Sequence, residues 1–451
     1  MICISEFEDQ NIISFRLVKE VNAHSICTFD VIIGNTDHSR FIDLVDKSIS
    51  INNGRDYLFF GFIRSITAEI MHSKTILHVC ASSHSARIDN EPKNRVYQDP
   101  NKKLSDILKY VKNEAHIQIS CKDDSVLLEP IVQSNETDFN FLLRMAAYTK
   151  QQLIINDSES PDTIILKITD SYDNNTASID CIPDKLSIQN IIPEHTTSKQ
   201  TIAEFVLHDQ YFEIGKRINL KQACLTGYIS KCEIILERNV IQYKYTSYEL
   251  GQMPSSPELK VLPYIEMEAV VEDSQNPDGK CFIKAKVTGD YIDAMPDNLM
   301  WMPYQVPYLS DQAGAVFLPN TNDHVTLIFS ENKLTAKACC DEYTLNNDFR
   351  EKQNHYISSI FGKQLVFHEN SIEIHADKSR IVISDDDISL LVGENSINIS
   401  ESAINLKIKG TQIQIDRDFA LQTDSFSIQG SDATIKTSGD VKIRGSKIFL
   451  K

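Results

Sequence analysis

From Ile372 to Leu450 the chain alternates short apolar pairs with polar turns. The pairs are Ile372/Ile374, Ile381/Ile383, Ile388/Leu390, Ile397/Ile399, Ile404/Leu406, Ile413/Ile415, Phe419/Leu421, Phe426/Ile428, Ala433/Ile435, Val441/Ile443 and Ile448/Leu450. Each has the form apolar-x-apolar, the period-two signature of a strand with one buried face. Successive pairs start six to nine residues apart, with a mean of 7.6. Between them lie Ser, Asp, Asn, Gly and Lys, which suit turns and solvated faces. Strands this short cannot bury an apolar face alone, so a regular series of them predicts stacking into a rod. That points to a mechanical or assembly role rather than to chemistry.

The rest of the chain reads as mostly strands. Segments 12–17, 25–33, 57–63 and 75–81 are rich in β-branched and aromatic residues, and Asn52-Asn53-Gly54 supplies a turn. Leu104, Ile107, Leu108 and Val111 fall at i, i+3, i+4 and i+7, one face of a helix. A second helix is expected from Thr137 or Asp138, either of which can cap its first turn, with Phe139, Leu142, Leu143 and Ala146 as its buried stripe. Strands resume at 152–156, 163–168, 202–207, 223–235 and 240–248. Residues 251–257, with two prolines and two serines, form a linker. A separate small β unit follows, with strands at 265–271, 281–287, 315–318 and 325–329. Residues 343–370 are polar and irregular.

A length of 451 residues predicts two to four domains, at about 100–200 residues per domain. The net charge of −18 argues against nucleic acid as a partner, because phosphate binding needs clustered Lys and Arg. Glycine and proline are few for so many turns, so Asn, Asp and Ser must build them. The first ten residues lack the basic region of a secretory signal, and no run of about 18 apolar residues could span a membrane. The ten cysteines are scattered without C-x-x-C spacing. They read as reduced, buried thiols of a cytoplasmic product.

Candidate chemistry is sparse. There is no G-x-S-x-G, no H-E-x-x-H and no phosphate-cradling glycine loop. His78 and His375 alternate with apolar residues along strands and are expected at the surface. Asp385-Asp386-Asp387 lacks the spacing of a calcium loop and reads as a solvated turn. Glu136 and Asp138 are explained by the positive end of the helix dipole. Trp301, the single tryptophan, is expected to pack in a core or an interface. No catalytic residue, cofactor or metal ligand is assigned.

Four stretches carry a resemblance to a known family. Gln133 to Arg144 looks like the Q-x-x-E-S/T-D-x-x-F-L-x-R helix entry of the VgrG family, the spikes of type VI secretion systems, related to hub and spike proteins of contractile phage tails. Residues 314–319 with 323–329 look like that family's G-x-x-F-x-P and D-E-V-x-V-x-F signature in an OB-fold barrel. Residues 278–287 look like the hairpin strand preceding it, and the C-terminal repeat looks like the family's needle. Ser330-Glu331-Asn332-Lys333 replaces the usual glycine-aspartate-proline turn, and Trp301-Met302-Pro303-Tyr304 stands for the usual W-V-R-V strand.

The resemblance implies a mainly β fold with a small α+β insert: hub β-barrels, an OB-fold barrel and a C-terminal triple-stranded trimeric β-helix needle. The boundaries are a hub at 1–250, with barrel-like units at 1–95 and about 155–250 around an insert at 96–154. An OB-fold domain at 258–342, a connecting segment at 343–370 and the needle at 371–451 follow. The implied function is that of a homotrimeric, non-enzymatic spike at the tip of a contractile injection apparatus. It would puncture the target envelope, sit on an Hcp-like tube hexamer and baseplate, and carry a PAAR-like tip protein and effectors. It would assemble in the cytoplasm and then be translocated. The expected trimer core is Ile372, Ile374, Ile381, Ile383, Ile388, Leu390, Ile397, Ile399, Ile404, Leu406, Ile413, Ile415, Phe426, Ile428, Val441 and Ile443. The expected tip-protein contact is Ile448, Phe449, Leu450 and Lys451, where the chain ends without a further domain. Competing expectations are the spike of a phage-tail-like extracellular particle, a carbohydrate-active enzyme on a single-chain parallel β-helix, and a passive fibre.

Overall fold

The computed structural model describes residues 2–8, 10–34, 41–72, 74–115, 117–122, 124–161, 163–169, 176–180, 183–192, 199–250, 252, 262–310, 313–338, 355–359, 361–409 and 411–416. They form two compact units, 1–342 and 343–451.

The first unit is built on a twelve-stranded sheet. From one edge, its N-terminal strands run Cys3–Ile4, Ser48–Asn52, Tyr57–Ile70, Thr75–Ser83, Ile26–Ile33 and Asn11–Glu20. Leu225–Glu237, Val240–Glu249, Gln200–Leu207 and Lys185–Ile191 continue the same sheet. Arg217–Leu220 branches from Leu225–Glu237 and carries Ala177–Ile179 on its other edge. The expected pair of barrel-like units is thus continuous. Strand Asn11–Glu20 pairs with Leu225–Glu237, setting Leu17 opposite Ile234 and Lys19 opposite Cys232. Residues from both halves, including Leu17, Phe29, Val79, Phe205, Ile234 and Tyr245, share one core. Strand Asn11–Glu20 has Ile26–Ile33 on one edge and Leu225–Glu237 on the other, so its backbone groups are paired on both sides. Gly227 permits the close strand approach in this region, since a Cβ there would meet Tyr248 O at 2.1 Å.

The insert contains two helices, α1 (Leu104–Ala115) and α2 (Asp138–Tyr148). They pack with a three-stranded sheet of Gln118–Cys121, Ile165–Thr169 and Gln152–Asn156. Its core holds Leu104, Ile107, Leu108 and Val111 from the predicted apolar face, together with Phe141, Leu142, Leu166 and Ile168. Ile165–Thr169, beyond the expected end of the insert at 154, pairs within this small sheet among the described residues. Pro92–Tyr97 pairs with Ile131–Thr137 and, in parallel, with Ile292–Asp293, which fastens the insert to the next β unit.

That β unit is a small barrel. Met302–Pro303, Phe282–Val287, Ile265–Asp273, His324–Ser330 and Lys333–Ala338 lie side by side in this order. A parallel bridge between Tyr304 and Ala336 brings the first strand back to the last, the closure of a five-stranded OB-like barrel. Ser330 faces Lys333 across a two-residue turn, and both turn residues, Glu331 and Asn332, have positive φ. This is the primed hairpin geometry that strand twist favours, achieved here without glycine. The expected strand at 315–318 lies earlier: Ala313–Ala315 pairs with Tyr308–Ser310, and Val316, Phe317 and Leu318 follow it exposed.

The described residues of the second unit form an eight-stranded antiparallel meander, each strand pairing with its neighbours in sequence. It starts at His355–Ser358 and Lys363–Phe367, inside the stretch expected to be irregular. Ser359 and Gly362 interrupt the apolar alternation there and hide it in the sequence. From Ser371–Ala376 to Thr411–Ile415 the reversals fall at Asp377/Lys378, Asp385/Asp386, Gly393/Glu394 and Glu401/Ser402, a constant step of eight residues. The alternating spacings of nine and seven arise because successive strands run in opposite directions past a fixed eight-residue unit. Residues 417–451 lie outside the described residues.

Candidate assembly surface

The meander aligns the predicted apolar pairs. Ile372 faces Ile383, which faces Ile388, then Ile399, Ile404 and Ile415. Beside this column runs a second one: Ile374, Ile381, Leu390, Ile397, Leu406 and Ile413. Side chains two apart share a face of a strand, so both columns stand on the same face of the sheet. Nine of these twelve residues are 36–51% exposed. Val392 and Ile408 extend the face and are more exposed still, at 58% and 60%. Their signal in the sequence is the third apolar position in Ile388-x-Leu390-x-Val392 and Ile404-x-Leu406-x-Ile408. Phe426, Ile428, Val441 and Ile443, and the expected tip residues Ile448, Phe449, Leu450 and Lys451, lie outside the described residues.

The opposite face is polar and internally bonded. Glu373, Val382, Ser389, Asn398, Asn405 and Gln414 lie opposite one another in turn. Glu373 is paired with Arg380 and lies 3.5 Å from His368. Asn398 donates to Asp387 and, at 2.9 Å, to Ser389 Oγ. Hydrogen bonds from Ser384, Asn398 and Ser389 hold the Asp387 carboxyl below its usual range. This row is mostly polar, interrupted by Val366 and Val382, and Val366 and Glu373 are buried in it.

The helix-entry motif is a second constellation, and it lies inside. Asp138 is buried, with Oδ1 accepting from Arg95 Nη1 at 2.5 Å and Gln133 Nε2 at 3.1 Å, and Oδ2 3.0 Å from Lys93 Nζ. Gln133 also takes a bond from Arg95 and donates to the Glu136 carbonyl. Glu136 is gripped by Arg144, whose Nη2 also donates to Val132 O at 2.6 Å. Thr137 caps α2 through Asn140 N and donates to Asp89. The helix dipole alone does not explain these acids. Instead, burial would raise the Asp138 pKa, and Arg95, Gln133 and Lys93 overcome it and hold it low. The motif is a structural lock between helix, strands and the Pro92–Tyr97 edge.

Other candidates are ordinary. His78 is exposed and bonded to Asp30, His375 bonds the Asp377 carbonyl, and Asp385 and Asp386 form a bend before Asp387. Trp301 is half-buried, with Lys284 Nζ 5.0 Å from its ring centre. Among the described residues no cluster of His, Cys, Asp and Glu could hold a metal ion, and no helix is long and apolar enough to cross a membrane.

No family model matches the chain, and no curated protein matches it. Solved structures do. The chain is similar to the E. coli c3393 protein, described as a component of the type VI secretion system with structural similarity to T4 bacteriophage tail proteins gp27 and gp5. There the identity is 10%, covering 74% of this chain and 99% of that one, with a TM-score of 0.56. It is also similar to a chain of the Francisella PdpA-VgrG complex in its half-lidded form, at 11% identity, 89% and 84% coverage and a TM-score of 0.57. The lidless PdpA-VgrG complex gives 11%, 89% and 94%, with 0.56. The chain therefore shares its fold with these structures, and that fold is mainly β, as the sequence implied.

Proposed function

We propose that this chain is a trimeric spike and hub of a contractile injection apparatus, with the C-terminal sheet as one wall of its needle. The observation that carries the proposal is the pair of apolar columns. A flat face with Ile and Leu on every strand is a liability in a lone chain. Three such faces turned inward make a closed triangular prism, with the Glu373–Gln414 face toward water. Full burial of a large aliphatic side chain is worth about 1.5–3 kcal/mol, so completing burial of nine half-exposed ones contributes on the order of 10 kcal/mol per chain. A cyclic assembly repeats one heterologous contact and closes on itself. The fold shared with c3393 and with VgrG supports this reading.

A rod with a continuous strand ladder and a dry core resists bending under axial load, which suits the puncturing of an envelope. In the same reading the hub meets an Hcp-like tube end and baseplate, the end near 441–451 receives a PAAR-like tip protein through Ile448 to Lys451, and effectors travel as separate partners. The protein acts without catalysis, is assembled in the cytoplasm and leaves with the apparatus. Consecutive strands pair antiparallel, an arrangement unlike the parallel coils of a single-chain β-helix enzyme. Light scattering at several concentrations tests the proposal. A stable mass near three times 51.2 kDa is expected; a stable, soluble monomer overturns it. Removing 441–451 should abolish tip-protein binding, and unchanged binding would count against the assigned contact.

A further inference from the structure

Lys19 is completely buried in the middle of the large sheet. Its Nζ lies 2.6 Å from Asp157 Oδ1 and 2.7 Å from Glu213 Oε2, and donates at 3.0 Å to Tyr211 Oη. Asp157 is itself buried, with Lys19 Nζ against its Oδ1 and Ser25 beside its carboxyl group. Glu213 is well bonded: Tyr211 Oη donates to it at 2.7 Å and Ser158 Oγ at 2.5 Å. Cys232 lies directly across the strand from Lys19 and is fully buried. The three groups come from three segments: strand Asn11–Glu20, the residue after strand Gln152–Asn156, and the connection before Arg217–Leu220.

One ammonium against two carboxylates leaves a net negative charge in a dry interior, which is costly. The cost is removed if one acid is neutral. Asp157 is that acid: burial raises its pKa beyond what Lys19 takes back. Glu213 stays ionised, because Lys19, Ser158 and Tyr211 outweigh its burial. Lys19 is held as an ammonium, above its usual range, by Asp157 and Glu213; with a neutral carboxyl group on one side and a carboxylate that can take its proton on the other, the cluster has the parts for amide formation. Proximity of this kind replaces a slow bimolecular encounter by a fixed one.

We propose that Lys19 and Asp157 condense to an intramolecular amide, with Glu213 as the proton carrier. Glu213 takes one proton from the ammonium. The free amine forms an N–C bond to Asp157 Cγ, the C–OH bond breaks, and the hydroxyl leaves as water with a second nitrogen proton relayed through Glu213. The amide keeps the third proton, and Glu213 finishes as the neutral acid. Reactants and products carry no net charge, and no oxidant or cofactor enters. The product pins the central strand of the large sheet to the insert by a covalent bond, independently of how many chains assemble.

Intact-mass spectrometry of the denatured full chain tests this. The wild type is expected to be lighter than its sequence by one water, and a tryptic digest is expected to yield one branched peptide joining Lys19 to Asp157, with no cleavage after Lys19. Asp157→Ala and Glu213→Gln should each restore the full mass of their sequences. A wild-type mass equal to its sequence overturns the proposal and leaves an ordinary buried ion pair. So does a missing water that maps elsewhere. A link that persists in Glu213→Gln overturns the role given to Glu213. The wild-type measurement stands even if a variant fails to fold.

Discussion

The large sheet and the C-terminal sheet are both antiparallel, and both alternate apolar with polar positions, yet they end differently. In the large sheet the alternation closes on itself: Leu17, Val31, Leu77 and Ile234 have no exposure left. In the C-terminal sheet the same alternation leaves Ile374 and Ile413 at 47% and 51%. Twelve strands with a branch can curl and bury their own face. An eight-strand meander with an eight-residue step has no second layer within the described residues. Alternation tells that a face will be buried; only topology tells whether the chain does this alone.

The comparison breaks most sharply if charge is put on the columns. Ile388 and Ile399 face each other across neighbouring strands. Replacing both by Lys would place two ammonium groups per chain in a dry core, each costing several kcal/mol. The expected outcome is a threefold fall in mass by light scattering, with the thermal unfolding of the first unit unchanged. Ser389→Lys, on the opposite face, should leave the mass as it was. A double-lysine variant that keeps the wild-type mass would mean that the columns are not an inter-chain core.

The second test sharpens the other side, where burial is internal. Asp138→Ala strands Arg95 among buried groups, and breaking a buried pair costs about 3–5 kcal/mol. The loss should appear as a lower urea midpoint for the first unit, with no change in subunit mass. The pH dependence has a definite sign. The folded Asp138 carboxyl is held below its ordinary value, so its stabilising effect is complete above the unfolded value of about 3.9. It is lost as pH falls through the lower folded value. Asp138→Asn should remove this contribution and flatten the acid limb of the stability curve. An unchanged acid limb would show that the Arg95 pair does not hold Asp138 charged.

These two regions also differ in how far they could be read from the sequence. The columns of Ile and Leu were legible residue by residue, because a strand face depends on period two and nothing else. The constant eight-residue step was not, since strand direction decides whether a pair sits before or after the middle of its unit. The start of α2 was legible from Thr137 and the apolar stripe that follows it. The burial of Asp138 was not, because Arg95 and Lys93 lie about forty residues upstream on a strand with little apolar character. Likewise Lys19 lies just beyond the strand read at 12–17, and nothing in the sequence marks it. Its partners, Asp157 and Glu213, come together only when the two halves of the large sheet join through Leu225–Glu237.

The smallest expected effect tests whether the helix-entry motif works as a unit or as separate pieces. Thr137 Oγ1 accepts from Asn140 N at 3.3 Å and donates to Asp89. Loss of an N-cap side chain typically costs about 1 kcal/mol, well below the loss of a buried ion pair. Thr137→Ala should therefore lower the urea midpoint slightly, and Thr137→Ser, which keeps the oxygen, should recover most of it. If the cap acts independently of the Asp138 lock, the double variant Thr137→Ala, Asp138→Ala should lose the sum of the two single losses. The groups are neighbours, however, and neighbours couple. A double loss smaller than the sum is expected, because once Asp138 is gone α2 is already loosened from Arg95 and a frayed first turn has less left to lose. A strictly additive result would assign the motif two separate jobs, capping a helix and docking it.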